Sequence, residues 1–139
     1  MEIQLAESDA QILACHGVMR ELRPHIAAED FVSRVHAQAQ QGYQLAFIAA
    51  QGAPLAVAGF RLGLNLAWGR YLYVDDLVVQ PQRRSCGLGA ALLNWLHDHA
   101  RAQGCTAVHL DSGMQREQAH RFYNREGMTA AGLHFVKPL

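Results

Sequence analysis

A single domain of the α/β or α+β class, built on a mixed sheet, is what this sequence predicts, and three observations predict it. Residues 71–79 are aromatic, β-branched or leucine apart from Asp75 and Asp76 and read as a strand, which Pro81 ends. That strand feeds a glycine-bearing turn that opens directly into a helix from Leu88. A second short apolar run, residues 106–111, follows the helix, so this β–α–β unit makes its two strands parallel with a right-handed crossover. Two earlier runs joined by a tight turn add antiparallel pairing, and the sheet is therefore mixed. With 139 residues the chain is one domain, 1–139, able to bury roughly two-thirds of its unfolded surface in one core.

The elements follow in order. Residues 2–5 are a short first strand. Ser8 or Asp9 caps a helix whose apolar face is Ile12, Cys15, Val18, Met19 and Leu22, closed by Pro24. A second helix spans residues 28–41, with Phe31, Val32 and Val35 on one face, and stops at Gly42. Much of its surface is polar, so it is expected to lie over a cleft rather than inside the core. Strands at 45–50 and 55–62 are joined by Gln51-Gly-Ala-Pro54, and residues 63–69 are a loop or hairpin end. Beyond the 71–79 strand, Leu88, Leu92, Trp95 and Leu96 fall at helical spacing, and Gly104 terminates that helix. After the 106–111 strand comes a helix over 115–126 with Ala119, Phe122 and Tyr123 on one face, ended by Gly127. A last strand is expected at 133–137.

Composition removes several functions. Half the residues are hydrophobic, and the 12 basic and 12 acidic residues cancel, so no basic stripe indicates a nucleic-acid partner. Cys15, Cys86 and Cys105 are too few and too far apart for a disulfide framework or zinc ribbon, and an odd count suits a reducing compartment. No apolar run approaches 18 residues and no leader pattern opens the chain. The expectation is a cytoplasmic protein with no membrane partner. Eight histidines lack the spacing of a metal site: His97 and His99 diverge on their helix, and no metal is expected. His109 alternates with Val108 and Leu110 and is a candidate to reach a cleft. Trp68 and Tyr71 to Tyr73 are candidates for an acceptor pocket or for core packing.

The chemistry concentrates between the central strand and its helix, at Arg84-Ser-Cys-Gly87-Leu-Gly89. The first turn of a helix presents N–H groups without internal partners and a partial positive charge. Glycines there remove the side chains that would hold a phosphate away, so the segment reads as a pyrophosphate seat made of backbone. It is not a Walker loop, because Ala90 and Ala91 stand where Lys and Ser or Thr are required. It is a poor dinucleotide fingerprint, because the third glycine is replaced by Leu92, although Asp111 lies about 20 residues on. An ordinary β–α turn and a small nucleotide-binding protein stay open on these residues alone.

Arg-x-x-Gly-x-Gly after a strand ending Leu77-Val78-Val79 resembles the acetyl-CoA signature of the GNAT family of N-acetyltransferases. A second segment strengthens the likeness: Ala119, Phe122, Tyr123, Gly127 and Met128 occupy the places of that family's later motif, after the strand that follows the cofactor helix. The resemblance covers about half the chain, from Tyr71 onward, and the closing residues are similar to small-molecule members such as aminoalkylphosphonate acetyltransferases. It departs from the usual pattern at Ser85, commonly Gly, and at Arg116, commonly Asn.

The resemblance implies a twisted mixed sheet of about six to seven strands with helices on both faces and two parallel central strands splayed apart. The pantetheine arm of acetyl-CoA would pair with the backbone of Leu77, Val78 and Val79. The pyrophosphate would rest on the N–H groups of Arg84, Ser85, Cys86, Gly87, Leu88, Gly89 and Ala90, with the Arg84 guanidinium adding charge-assisted contacts. Tyr123 would protonate the leaving thiolate, since a phenol near pKa 10 stays protonated at neutral pH. A backbone N–H of Val78 or Val79 would stabilise the oxyanion. Asp75 or Asp76 would take the amine's proton; being adjacent, the two are expected to point to opposite faces of the sheet. The implied activity is acetyl transfer from acetyl-CoA to a primary amine of a small molecule by direct attack in a ternary complex. If the acceptor is anionic, Arg23, Arg34 and Arg61 are the candidates to hold it. Protein lysine or N-terminal amines are the alternative acceptors, and a non-catalytic acyl-CoA-binding module is the alternative class. Homodimers are common in the family, and an apolar last strand offers a way to pair across subunits.

Overall fold

The computed structural model describes residues 2–139. In chain order the elements are β1 (Ile3–Leu5), α1 (Asp9–Met19), α2 (Ala28–Ala39), β2 (Tyr43–Ala50), β3 (Ala53–Asn65), β4 (Gly69–Val79), a 3-10 turn at Pro81–Arg83, α3 (Leu88–Ala102), β5 (Ala107–Leu110) and α4 (Glu117–Arg125). The chain divides into two compact units, one ending at His109 and the other Leu110–Leu139.

The strands form one sheet in the order β1-β2-β3-β4-β5, and the first three pairings are antiparallel. The β2–β3 hairpin turns through Gln51 and Gly52, both at positive φ (52° and 82°), as the commonest two-residue hairpin loop requires. Strand β3 starts at Ala53 rather than at 55 because a register shift between Ile48 and Ala49 lets Pro54 sit opposite Ala49. The β3–β4 hairpin is also longer than the sequence suggests: the 63–69 segment is mostly ladder, with Asn65 opposite Gly69. Gly63 permits this, since any Cβ there would collide with the Tyr71 ring across the strand.

Strand alternation sorts the sheet into two faces. On one, Leu45, Phe47 and Val57 pack with Ile12, Cys15 and Val18 of α1 and with Phe31 and Val35 of α2. On the other, Phe60 meets Trp95 and His99 of α3 edge to face, at 5.9 Å and 5.5 Å between ring centroids. Helices therefore cover both faces, as expected. The Cys15 thiol lies inside the first core, and burial pushes its pKa up to about 12, which makes it inert.

Two features of the sheet position the site. Thr106 donates its N–H to the Arg70 carbonyl at 2.9 Å, so β5, the neighbour of β4 in the sheet, starts beside the start of β4. With only four residues, β5 ends while β4 continues to Val79. Leu77, Val78 and Val79 pair with Ala58, Val57 and Ala56 on one side, and among the described residues no strand flanks them on the other.

Among the described residues the sheet has five strands, which corrects the expectation of six to seven. Residues 133–137, expected as the last strand, form none; Phe135 is 88% exposed and Val136 79%. An apolar run becomes a strand only where an edge supplies its ladder, and this segment joins no ladder. Among the described residues no helix is long and apolar enough to cross a membrane.

Candidate active site

The site is built on β4. Its register with β3 shifts between Gly59 and Phe60: Gly59 lies opposite Asp76, Phe60 opposite Val74, and Asp75 is the extra residue. A β-bulge of this kind breaks the alternation of side chains. Both carboxylates consequently open onto one cavity on the α1–α2 face, which corrects the expectation that they point to opposite faces. Without the bulge, period-two alternation would separate them.

Each carboxylate is engaged. Asp76 Oδ1 accepts from Arg23 Nε at 2.9 Å and its Oδ2 accepts from the Tyr43 hydroxyl at 2.7 Å. Asp75 Oδ2 accepts from Arg61 Nε at 2.8 Å, and the Asp75 carbonyl accepts from Arg23 Nη2 at 3.0 Å. Arg61 also donates to Gln38 Oε1 and stacks its guanidinium over the Tyr43 ring at 5.5 Å. Burial, reinforced by the Asp76 charge and hydrogen bond, pushes the Tyr43 phenol far above its ordinary pKa. Tyr43 is thus a fixed donor. Gly59 makes the arrangement possible, because a Cβ there would overlap both the Tyr43 hydroxyl and Asp76 Oδ2.

The cavity has a volume of about 270 Å3. Its apolar wall is Met19, Ile26, Phe31 and Val35; Phe31, Arg34 or Val35, and Gln38 recur at the spacing of one helix face, so α2 does lie over a cleft. Arg34 and His25 complete the rim.

Beyond Val79 the chain makes its 3-10 turn, and Arg84, Ser85, Cys86 and Gly87 form an exposed loop. Ser85 and Gly87 both adopt left-handed backbone, at φ 64° and 83°. Gly87 is the N-cap of α3, and no side chain caps the helix. The first internal bond runs from Ala91 N–H to the Gly87 carbonyl at 3.0 Å, so Leu88, Gly89 and Ala90 keep first-turn N–H groups without helical partners. Open donors together with the helix dipole are the chemistry that can receive an anion. Cys86 Sγ reaches only the Arg84 carbonyl, at 3.7 Å, and serves the loop.

In the second unit, Tyr123 lies on α4 beside Phe122, with ring centroids 5.3 Å apart. Burial raises its pKa and the nearby Arg116 works against that rise, so the phenol stays protonated at neutral pH. Gly127, at φ 91°, ends α4, and Met128 N–H bonds back to the Tyr123 carbonyl at 2.9 Å. His120 is held locally, its Nε2 2.7 Å from the Gly113 carbonyl.

His109 and Trp68 do not line the cavity. Their rings stack at 3.6 Å, with Tyr71 edge-on to both, and burial lowers the His109 pKa. Tyr43, Gln38 and His25 carry the site without having been singled out by sequence. The one available signal was Gly59, a glycine inside an apolar strand, which marks a bulge or a close approach.

Residues 11–128 match the profile of the Acetyltransferase (GNAT) family. The chain is 36% identical over 124 residues to the uncharacterized N-acetyltransferase YhdJ of Bacillus subtilis (strain 168), covering 88% of this chain and 87% of that protein. Over 66 residues it is 38% identical to the aminoalkylphosphonate N-acetyltransferase of Salmonella typhimurium, covering 48% of this chain and 43% of that protein. The crystal structure of a Trypanosoma brucei acetyltransferase superposes with a TM-score of 0.83 over 99% of both chains at 22% identity, which is a likeness of fold.

Proposed function

The chain belongs to the GNAT acetyltransferase family, and on that premise we propose that it transfers the acetyl group of acetyl-CoA to the primary amine of a small molecule. The acceptor amine attacks the thioester carbonyl directly in a ternary complex; the C–N bond forms, the C–S bond breaks and coenzyme A leaves. The observation that carries this reading is the uncapped mouth of α3, reached from the same strand that bears the two cavity-facing aspartates.

In this reading the N–H groups from Arg84 to Ala90 seat the pyrophosphate, and the strand-free side of Leu77, Val78 and Val79 receives the pantetheine arm. A backbone N–H of Val78 or Val79 stabilises the oxyanion. Asp75 is the better base, because Arg61 takes only its Oδ2, whereas both oxygens of Asp76 are engaged. Asp76 holds the floor through Arg23 and Tyr43. Tyr123 returns a proton to the departing thiolate.

A cavity of about 270 Å3, at the small end of small-molecule sites, favours a metabolite amine over a protein side chain. The reading also includes a cytoplasmic homodimer, in which a second copy covers exposed Leu133, Phe135 and Val136. Sedimentation velocity at micromolar concentration tests that part; a single monomeric boundary rejects it.

Thiol release from acetyl-CoA across a panel of primary amines tests the activity. Tyr123→Phe is expected to lower kcat by about 100-fold or more with KM for acetyl-CoA little changed. Coenzyme A binding without turnover of any amine, and a neutral Tyr123→Phe, would point instead to a binding module.

A further inference from the structure

Taking the acyl-transfer reading above as its base, we propose that the acceptor is an amine that also carries an oxyanion (phosphonate, phosphate or carboxylate), and that Arg34 holds that oxyanion. Charge at the cavity is unbalanced in the positive sense. Arg23, Arg34, Asp75 and Asp76 line it, and a third guanidinium, Arg61, bonds Asp75 and Gln38 from beside it. Arg23 is committed to Asp76 and to the Asp75 carbonyl, and Arg61 is committed to Asp75 and Gln38. These two cations cancel the two carboxylates.

Arg34 lines the same cavity and has no hydrogen bond or ion pair to the protein among the described residues. Its position is not the outward side of α2. It follows Phe31 by three residues and precedes Gln38 by four, on the helix face that lines the cavity. A guanidinium is always charged, and its planar fork matches two oxygens of a phosphonate or carboxylate. His25, on the same rim, offers a further donor.

The neighbours decide which ligand suits this surplus charge. Met19, Ile26, Phe31 and Val35 exclude water from one wall, which strengthens a charge-assisted contact. A polyamine would bring a second cation against unbalanced positive charge, and a plain alkylamine would leave Arg34 unmatched. A short zwitterionic amine matches both ends: its amine faces the partly open Asp75 carboxylate and its oxyanion faces Arg34. The cavity volume, about 270 Å3, suits a short linker between the two ends.

The test uses amines matched in length. Thiol release from acetyl-CoA is measured with 2-aminoethylphosphonate, 2-aminoethyl phosphate and β-alanine against ethanolamine and propylamine. The anionic amines are expected to exceed the neutral ones in kcat/KM by about 10- to 100-fold, the worth of one charge-assisted contact. Arg34→Gln should erase most of that preference through KM, and Arg34→Lys should keep part of it. Equal turnover of charged and neutral amines, or equal losses on both in Arg34→Gln, overturns the proposal.

Calorimetric binding of 2-aminoethylphosphonate to the full chain, without acetyl-CoA, separates this inference from the one beneath it. Binding that weakens in Arg34→Gln supports the oxyanion site even if no amine is ever acetylated, a result that would reject acyl transfer alone. Turnover of neutral amines with no such binding rejects the oxyanion site alone.

Discussion

Helices α1 and α3 begin in opposite ways. At α1, Ser8 accepts from the Gln11 N–H at 3.1 Å while Gln11 Oε1 accepts from the N–H groups of Ser8 and Glu7, a closed capping box. At α3, Gly87 stands in left-handed backbone and caps nothing. One helix mouth is sealed by its own sequence, and the other is left with its donors facing out. The chain can cap a helix with its own side chains, as at α1, and leaves the mouths of α2, α3 and α4 without a side-chain cap; at α3 the open donors are flanked by Gly87 and Gly89. A similar contrast holds within the cavity, where Asp76 is fully engaged and Asp75 only in part.

Closing the open mouth should have the largest effect. Gly87→Asp supplies a capping carboxylate where the pyrophosphate is proposed to rest, and Asp tolerates left-handed backbone better than most residues. Affinity for coenzyme A is expected to fall about 100-fold, corresponding to the loss of charge-assisted contacts of roughly 3 kcal/mol, with little change in melting temperature. Unchanged affinity by titration calorimetry would mean that the bare helix mouth has no ligand role.

The aspartates come next. Asp76→Asn weakens the contacts of Arg23 and Tyr43 together and should cost about 2 kcal/mol in urea unfolding. Asp75→Asn should cost less stability and lower kcat/KM, with the loss greatest where the amine is still protonated, as a pH–rate profile would reveal. The reverse pattern would exchange their roles.

Ser8→Ala, which opens the sealed mouth, should cost about 1 kcal/mol and leave coenzyme A binding unaltered. Chemical unfolding and calorimetry on the same variant check both halves. A smaller, pH-dependent effect accompanies Tyr43. Its folded-state pKa is raised, so its contribution to stability is complete below about pH 10 and shrinks as pH climbs above that value.

Much of this was legible in the residues. The strand from 71 to 79, the loop at Arg84 to Gly89 and the helix that follows are local patterns, and they stand where local chemistry sets them. The Phe122-Tyr123 pair before Gly127 is local in the same sense. What local pattern does not carry is register. Whether Asp75 and Asp76 share a face depends on one inserted residue opposite β3, and that depends on Gly59 some 16 positions away. The Tyr43–Asp76–Arg23 group joins two strands and the α1–α2 loop, so no window of sequence contains it. Residues 133–137 fail for a related reason, since alternation describes a strand's faces but does not supply its neighbour.

Gly59 also decides where this protein is free to change. With the Tyr43 hydroxyl and Asp76 pressed against its Cα, no larger residue fits beneath them, and the floor of the cavity is frozen by sterics. The opposite wall is a helix face whose Arg34 and Gln38 reach the cavity from outside the packed core. New acceptor preferences are therefore most cheaply evolved or engineered on α2, with the floor kept as an inherited chassis.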